Sequence, residues 1–166
     1  MDVFPIYLVD DDTKHLLLLK DHLESRLPFR KEISIFSSGE NCLQKMAEQV
    51  PWIVVLDYHL DGIRPDAANG LEILRKIKRQ YPGVDVIMMS AQDQLKVGLE
   101  TLDAGATDYV IKGETAMLRV QLILHQLLER RSMDQWRDKQ ESKMRWLYLL
   151  VVLLVVGMVA MAVFAI

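Results

Sequence analysis

Up to Lys112, short apolar runs alternate with stretches in which apolar residues recur every three or four positions. The runs Val3–Val9 (VFPIYLV), Glu32–Phe36 (EISIF), Trp52–Leu56 (WIVVL), Val84–Met89 (VDVIMM) and Thr107–Ile111 read as strands. WIVVL is apolar throughout and reads as a central strand; Pro5 is tolerable near the start of its run. Between them, Thr13–Leu27 sets Leu16, Leu19, Leu23 and Leu27 on one helical face, with Asp12 or Thr13 as cap. A second helix follows the Ser37-Ser38-Gly39 turn as far as Gln49, with Leu43, Met46 and Ala47 apolar. Gly70–Gln80 keeps Leu71, Leu74 and Ile77 in register before Pro82-Gly83, and Asp93–Ala104 is closed by Gly105. A last helix starts near Glu114–Thr115.

Strands alternating with helices predict an α/β fold, doubly wound, with a five-stranded parallel sheet covered on both faces. Such sheets bind ligands outside the carboxyl ends of their strands. The polar residues fall there: Asp10-Asp11-Asp12 after the first strand, Asp57 after the third, Ser90 after the fourth and Lys112 after the fifth.

The pattern changes at the other end of the chain. Leu147–Ile166 contains no ionisable group except the phenol of Tyr148, and thirteen of its twenty residues are Leu, Val, Ile or Phe. At about 1.5 Å per residue this stretch makes a helix of about 30 Å, the thickness of a bilayer's hydrocarbon core. Those thirteen residues favour insertion by on the order of 4–8 kcal/mol. Arg137, Lys139, Lys143 and Arg145 precede it and nothing basic follows, which puts the N-terminal part in the cytoplasm. Trp146 and Tyr148 sit where an aromatic belt falls. The expectation is a soluble domain at residues 1–128, a charged helical linker at 129–146 and a single transmembrane helix at 147–166, tail-anchored in the inner (cytoplasmic) membrane. The linker, with six basic and four acidic residues and no Gly or Pro, is expected to continue the last helix into the bilayer.

A net charge of -3 gives no general grip on nucleic acid. The single cysteine, Cys42, allows no internal disulfide and reads as a small buried residue. The opening MDVFPIYLVDDD has no basic flank and is acidic where a signal peptide has an uncharged core, so secretion is not expected.

Asp10, Asp11 and Asp57 would bring carboxylates together, and unit charges about 4 Å apart repel by about 4 kcal/mol at an effective dielectric of about 20. Either one carboxyl stays protonated or a cation joins them. An all-oxygen donor set suits Mg2+. A carboxylate beside such an ion can attack phosphorus and form an acyl phosphate, with Lys112 and Ser90 as donors to the phosphoryl oxygens.

On LVDDD at 8–12, VVLD at 54–57, MMSA at 88–91 and DAGATDYVIK at 103–112, residues 2–128 resemble the receiver domain of two-component response regulators. The resemblance implies a flavodoxin-like strand order of 2-1-3-4-5. It implies Asp57 as phospho-acceptor, with Mg2+ on Asp11, on Asp10 through water, on Asp57 and on the backbone carbonyl of His59. Ser90 resembles the switch hydroxyl, Lys112 its partner lysine and Tyr109 the switch aromatic. The implied partner is a sensor histidine kinase or a phosphotransfer protein, and a homodimer through the fourth helix, fifth strand and fifth helix is a further expectation. With no stretch left for a DNA-binding domain, output is expected through protein contacts in a phosphorelay at the membrane, without nucleic acid and without turnover of a substrate.

The chain departs from the family pattern in places. Asp61 stands where a proline is common, DGIRPDAA at 61–68 contains an insertion beside the acceptor, and Gly113 replaces the usual proline after the lysine. His59 and Gln92 occupy positions that tune phosphoryl lifetime in the family. Asp12 reads as a helix cap, and His15, His22 and His125 read as surface helix residues. Two other readings compete: a receiver fold that binds partners without accepting phosphate, and an aspartate-nucleophile phosphatase. The second would need an acid two residues after the nucleophile, where His59 stands.

Overall fold

Five parallel strands, β1 (Phe4–Val9), β2 (Lys31–Phe36), β3 (Ile53–Asp57), β4 (Asp85–Ser90) and β5 (Asp108–Ile111), form one sheet in the order β2-β1-β3-β4-β5. The helices alternate with them: α1 (Thr13–Arg26), α2 (Gly39–Met46), α3 (Gly70–Gln80), α4 (Leu95–Asp103) and α5 (Ala116–Phe164). The computed structural model describes residues 3–60, 69–91 and 95–164, with side chains at 95, 135, 138, 139, 142 and from 150 onward outside the description. The loop at 61–68 and Gln92 therefore lie outside the described residues.

β3 is central and buried at every position, as its unbroken apolar run requires. It extends one residue beyond the predicted strand and takes in Asp57; β4 likewise takes in Ser90. Both polar residues are thus fixed by strand geometry rather than by a loop. Ile73, Leu74 and Ile77 of α3 are fully buried and pack with Tyr7, Val54, Leu56 and Met88 of the sheet. Each such aliphatic side chain contributes about 1.5–3 kcal/mol on leaving water. On α1, Leu16, Leu19 and Leu23 are buried, and Cys42 of α2 is buried as expected.

The helix ends explain where the chain turns. Asp12 caps α1, its carboxylate accepting from the Lys14 and His15 amides at 2.9 and 3.3 Å. At the other end, Lys31 Nζ donates to the Leu27 and Glu24 carbonyls at 2.7 and 3.0 Å, satisfying acceptors the helix leaves open. Asn69 caps α3 by accepting from the Glu72 amide at 3.0 Å. α2 ends at Met46, short of the predicted Gln49, where the Ala47 amide tightens onto the Gln44 carbonyl.

Two histidines read as surface residues are half-buried and engaged. His22 Nε2 is 2.9 Å from Gln121 Oε1, which links α1 to α5, and the His125 ring meets Phe29 edge-on at 5.3 Å. Periodicity shows which face of a helix is apolar, but not which neighbour lies beside its polar flank.

The chain divides into two compact units, Met1–Gln126 and Leu127–Ile166. The second is helical and exposes Met133, Trp136, Met144, Trp146 and Tyr148. Among the described residues no helix is long and apolar enough to cross a membrane. From residue 150 on, the side chains of the predicted span at 147–166 fall outside the described residues.

Candidate functional site

Parallel strands in register bring the polar residues to one edge. Val9 pairs with Leu56, so Asp10 follows β1 where Asp57 ends β3. Asp57 pairs with Met89, which places Ser90 next along β4, and Ser90 pairs with Ile111, which places Lys112 next. The Lys112 amide donates to the Ser90 carbonyl at 2.7 Å and extends the ladder past β5.

The carboxylates of Asp10, Asp11 and Asp57 each offer an oxygen within 4.8 Å of the others. At that spacing each pair of charges repels by about 3.5 kcal/mol or more at an effective dielectric of about 20. Asp10 and Asp57 are buried and Asp11 is half-buried. Lys112 Nζ lies 2.8 Å from Asp10 Oδ2 and 2.8 Å from Asp57 Oδ2, bridging the two buried acids. Ser90 is fully buried. Tyr109 is half-buried on β5, and a Cβ on Gly98 of α4 would come within 3.3 Å of its ring. His59 is half-buried with its ring against Tyr58, centroids 5.0 Å apart.

The electrostatics separate the two buried acids. Burial is the largest influence on Asp10 and pushes its carboxyl up, but donors from His15, Lys112 and the Asp12 amide outweigh it and hold the group below the usual carboxylate value. Burial also dominates Asp57, and the Asp10 charge adds to it, so Asp57 stands above its ordinary value despite Lys112. For Lys112, burial works against the cation, yet the two carboxylates prevail and raise it.

One oxygen is left over. Among the described residues Asp57 Oδ1 is buried without a hydrogen-bond partner, a condition that costs about 1–3 kcal/mol. Three carboxylates among the described residues face one lysine, so this part of the pocket is short of positive charge and one buried acceptor lacks a donor. These oxygens fit a hard divalent cation such as Mg2+, held by Asp10, Asp11 and Asp57.

The structure brings together all of the predicted acids with Ser90 and Lys112, and it adds a residue. His15, expected on the surface, has its Nδ1 2.6 Å from Asp10 Oδ2 with only 20% of its side chain exposed. The signal lay in the spacing. With Asp12 as cap, His15 is the third helical residue, and side chains there point back over the turn that precedes the helix.

Comparison with known proteins agrees with this arrangement. Residues 6–124 match the family model of the response regulator receiver domain. The transcriptional regulatory protein ZraR of Escherichia coli (strain K12) is 31% identical over 111 residues, 67% of this chain and 23% of that protein. The transcriptional activator protein ExaE of Pseudomonas putida is 34% identical over 110 residues, 64% of this chain and 47% of that protein. The chain therefore spans less than half the length of these curated relatives. Both are named as regulators of transcription, so the expectation that nucleic acid plays no part draws no support from them. The crystal structure of the receiver domain of NtrX from Brucella abortus superposes with a TM-score of 0.65 at 27% identity, covering 75% of this chain and 98% of that one. Receiver domains are in general phospho-accepting modules that bind Mg2+ in an acidic pocket and interact with histidine kinases or phosphotransfer proteins. With its sheet order, its acidic pocket and the match over residues 6–124, this chain belongs to the response regulator receiver domain family.

Proposed function

We propose that this chain is a working receiver that accepts a phosphoryl group on Asp57 and signals by protein contact from a membrane. The observation that carries the first part is the buried, unpartnered Oδ1 of Asp57 beside an Oδ2 tied to Lys112. The free oxygen is the nucleophile. It bonds to phosphorus as the donor's bond to phosphorus breaks, and the donor's phosphohistidine nitrogen leaves with the electron pair. Lys112 and Ser90 donate to the phosphoryl oxygens. Asp10, Asp11, Asp57 and the His59 carbonyl would hold Mg2+, whose contribution is to neutralise charge between carboxylate and phosphoryl group. Ser90 and Tyr109 are the switch pair, and the α4–β5–α5 face carries the change to a partner or a second copy.

Intact mass of the chain after incubation with Mg2+ and a small phosphoryl donor tests this. The expected result is one added phosphoryl group, absent without Mg2+ and absent in Asp57→Asn. Acceptance undiminished in Asp57→Asn would overturn the assignment of the acceptor.

The membrane half of the reading rests on the apolar composition of residues 147–166 and the basic residues before them. The receiver then lies in the cytoplasm on a linker at 129–146. Flotation of the intact chain with liposomes, against a chain ending at 146, tests it. Equal flotation of both would remove the anchor.

A further inference from the structure

Asp10 carries more hydrogen bonds than a carboxylate waiting for a cation needs. Its Oδ1 accepts from the Asp12 amide at 2.9 Å, and its Oδ2 accepts from both His15 Nδ1 at 2.6 Å and Lys112 Nζ at 2.8 Å. A carboxylate oxygen has two lone-pair directions, so Oδ2 is saturated. The two donors on Oδ2 are not equivalent. Lys112 is shared with Asp57 and can follow a phosphoryl group there. His15 belongs to the first turn of α1, whose start is fixed by the Asp12 cap. It is also not a member of the cluster whose ligand atoms gather within 4.8 Å, so its contact is with Asp10 and it is no fourth ligand to the same ion.

We propose that His15 is a positioning residue that weakens the pocket's hold on a divalent cation, by occupying an electron pair of Asp10 Oδ2 that the cation would otherwise draw on. The proposal rests on the reading of the three carboxylates as a divalent-cation site. Its sign follows from the other bonds of Asp10. The Asp12 amide and Lys112 hold the carboxylate by both oxygens without help from His15. Removing the imidazole therefore frees an electron pair without freeing the carboxylate. Were His15 the sole restraint on Asp10, its loss would loosen the site and weaken binding.

Cation affinity, measured without any phosphoryl donor, tests this. Mn2+ binding to the 166-residue chain in detergent micelles is followed by electron paramagnetic resonance, with Mg2+ as competitor, for wild type, His15→Leu and His15→Asn. Leu removes the donor, whereas Asn carries an amide N–H near the place of Nδ1. His15→Leu is expected to bind Mg2+ about three- to tenfold more tightly than wild type, the size of one hydrogen bond's net contribution. His15→Asn is expected to return the wild-type affinity, a rescue that mere packing by the ring would not give. Unchanged or weaker binding in His15→Leu, with the wild type still binding, would overturn the proposal alone. So would equal tightening in His15→Asn. Absence of cation binding in all three proteins would overturn the cation site itself and the proposal with it.

Discussion

Lys112 Nζ stands 2.8 Å from Asp57 Oδ2, so the cation that would greet an incoming phosphoryl group already neutralises the acceptor. Lys112→Met leaves Asp10 and Asp57 buried and facing each other without it. The expected loss is about 3–5 kcal/mol in urea unfolding without divalent cations. Millimolar Mg2+ should recover part of that loss, because a ligand of the folded state stabilises it by mass action. Equal stability of the variant and wild type would mean that Lys112 does not balance these acids.

Asp57 and Asp10 are expected to show opposite signs on the acid limb. The folded-state value of Asp57 is raised, so its ionised form disfavours folding; this penalty operates at neutral pH and is relieved as pH falls through the raised value. Asp57→Asn should therefore be more stable than wild type at pH 7, by roughly 1 kcal/mol, with the gap closing on acidification. Thermal melts of both proteins between pH 7 and pH 3 would read this directly.

Asp10 runs the other way. Its folded-state value is lowered, so its contribution is present above the ordinary 3.8 and is lost as pH falls through the lower, folded value. Asp10→Asn should be less stable at pH 7 by about 1–2 kcal/mol, converging on wild type only at strong acid. Convergence already near neutrality would show that Asp10 is not held ionised by His15 and Lys112.

Gly70 lies hard against the back of the acceptor. A Cβ there would fall 2.0 Å from the Asp57 carbonyl oxygen and 2.8 Å from Tyr58 Cα, both backbone atoms that cannot turn aside. The Gly70 amide also donates to the Tyr58 carbonyl at 2.9 Å. Gly70→Ala should cost about 1–3 kcal/mol in thermal unfolding and slow phosphoryl acceptance. At Gly83, where nothing lies within 4 Å of an added Cβ, alanine should leave acceptance unchanged.

Much of this was legible in the chain. An unbroken WIVVL between helical patterns identifies a strand with both faces covered, and it lies at the centre of the sheet. Acids, a hydroxyl and a lysine at four strand ends converge because parallel strands share one carboxyl edge. What stayed hidden depends on neighbours. His15 has an unremarkable place in the α1 pattern and acquires its role only when the Asp12 cap turns it back onto Asp10. The contacts of His22 and His125 are hidden for the same reason, since their partners Gln121 and Phe29 lie far away in sequence.

The acceptor and its counter-charge sit on strands with different mechanical support. β3, which carries Asp57, is hydrogen-bonded to β1 on one side and β4 on the other; β5, which leads to Lys112, is four residues long and bonded to β4 alone. Displacing β3 breaks two ladders, and displacing β5 breaks one. The carboxylates are thus bolted to the frame while the lysine rides on its margin. Because β5 leads to Lys112 and Lys112 reaches Asp57, the charge balance at Asp57 and the position of the sheet's outer edge are joined by a single short lever.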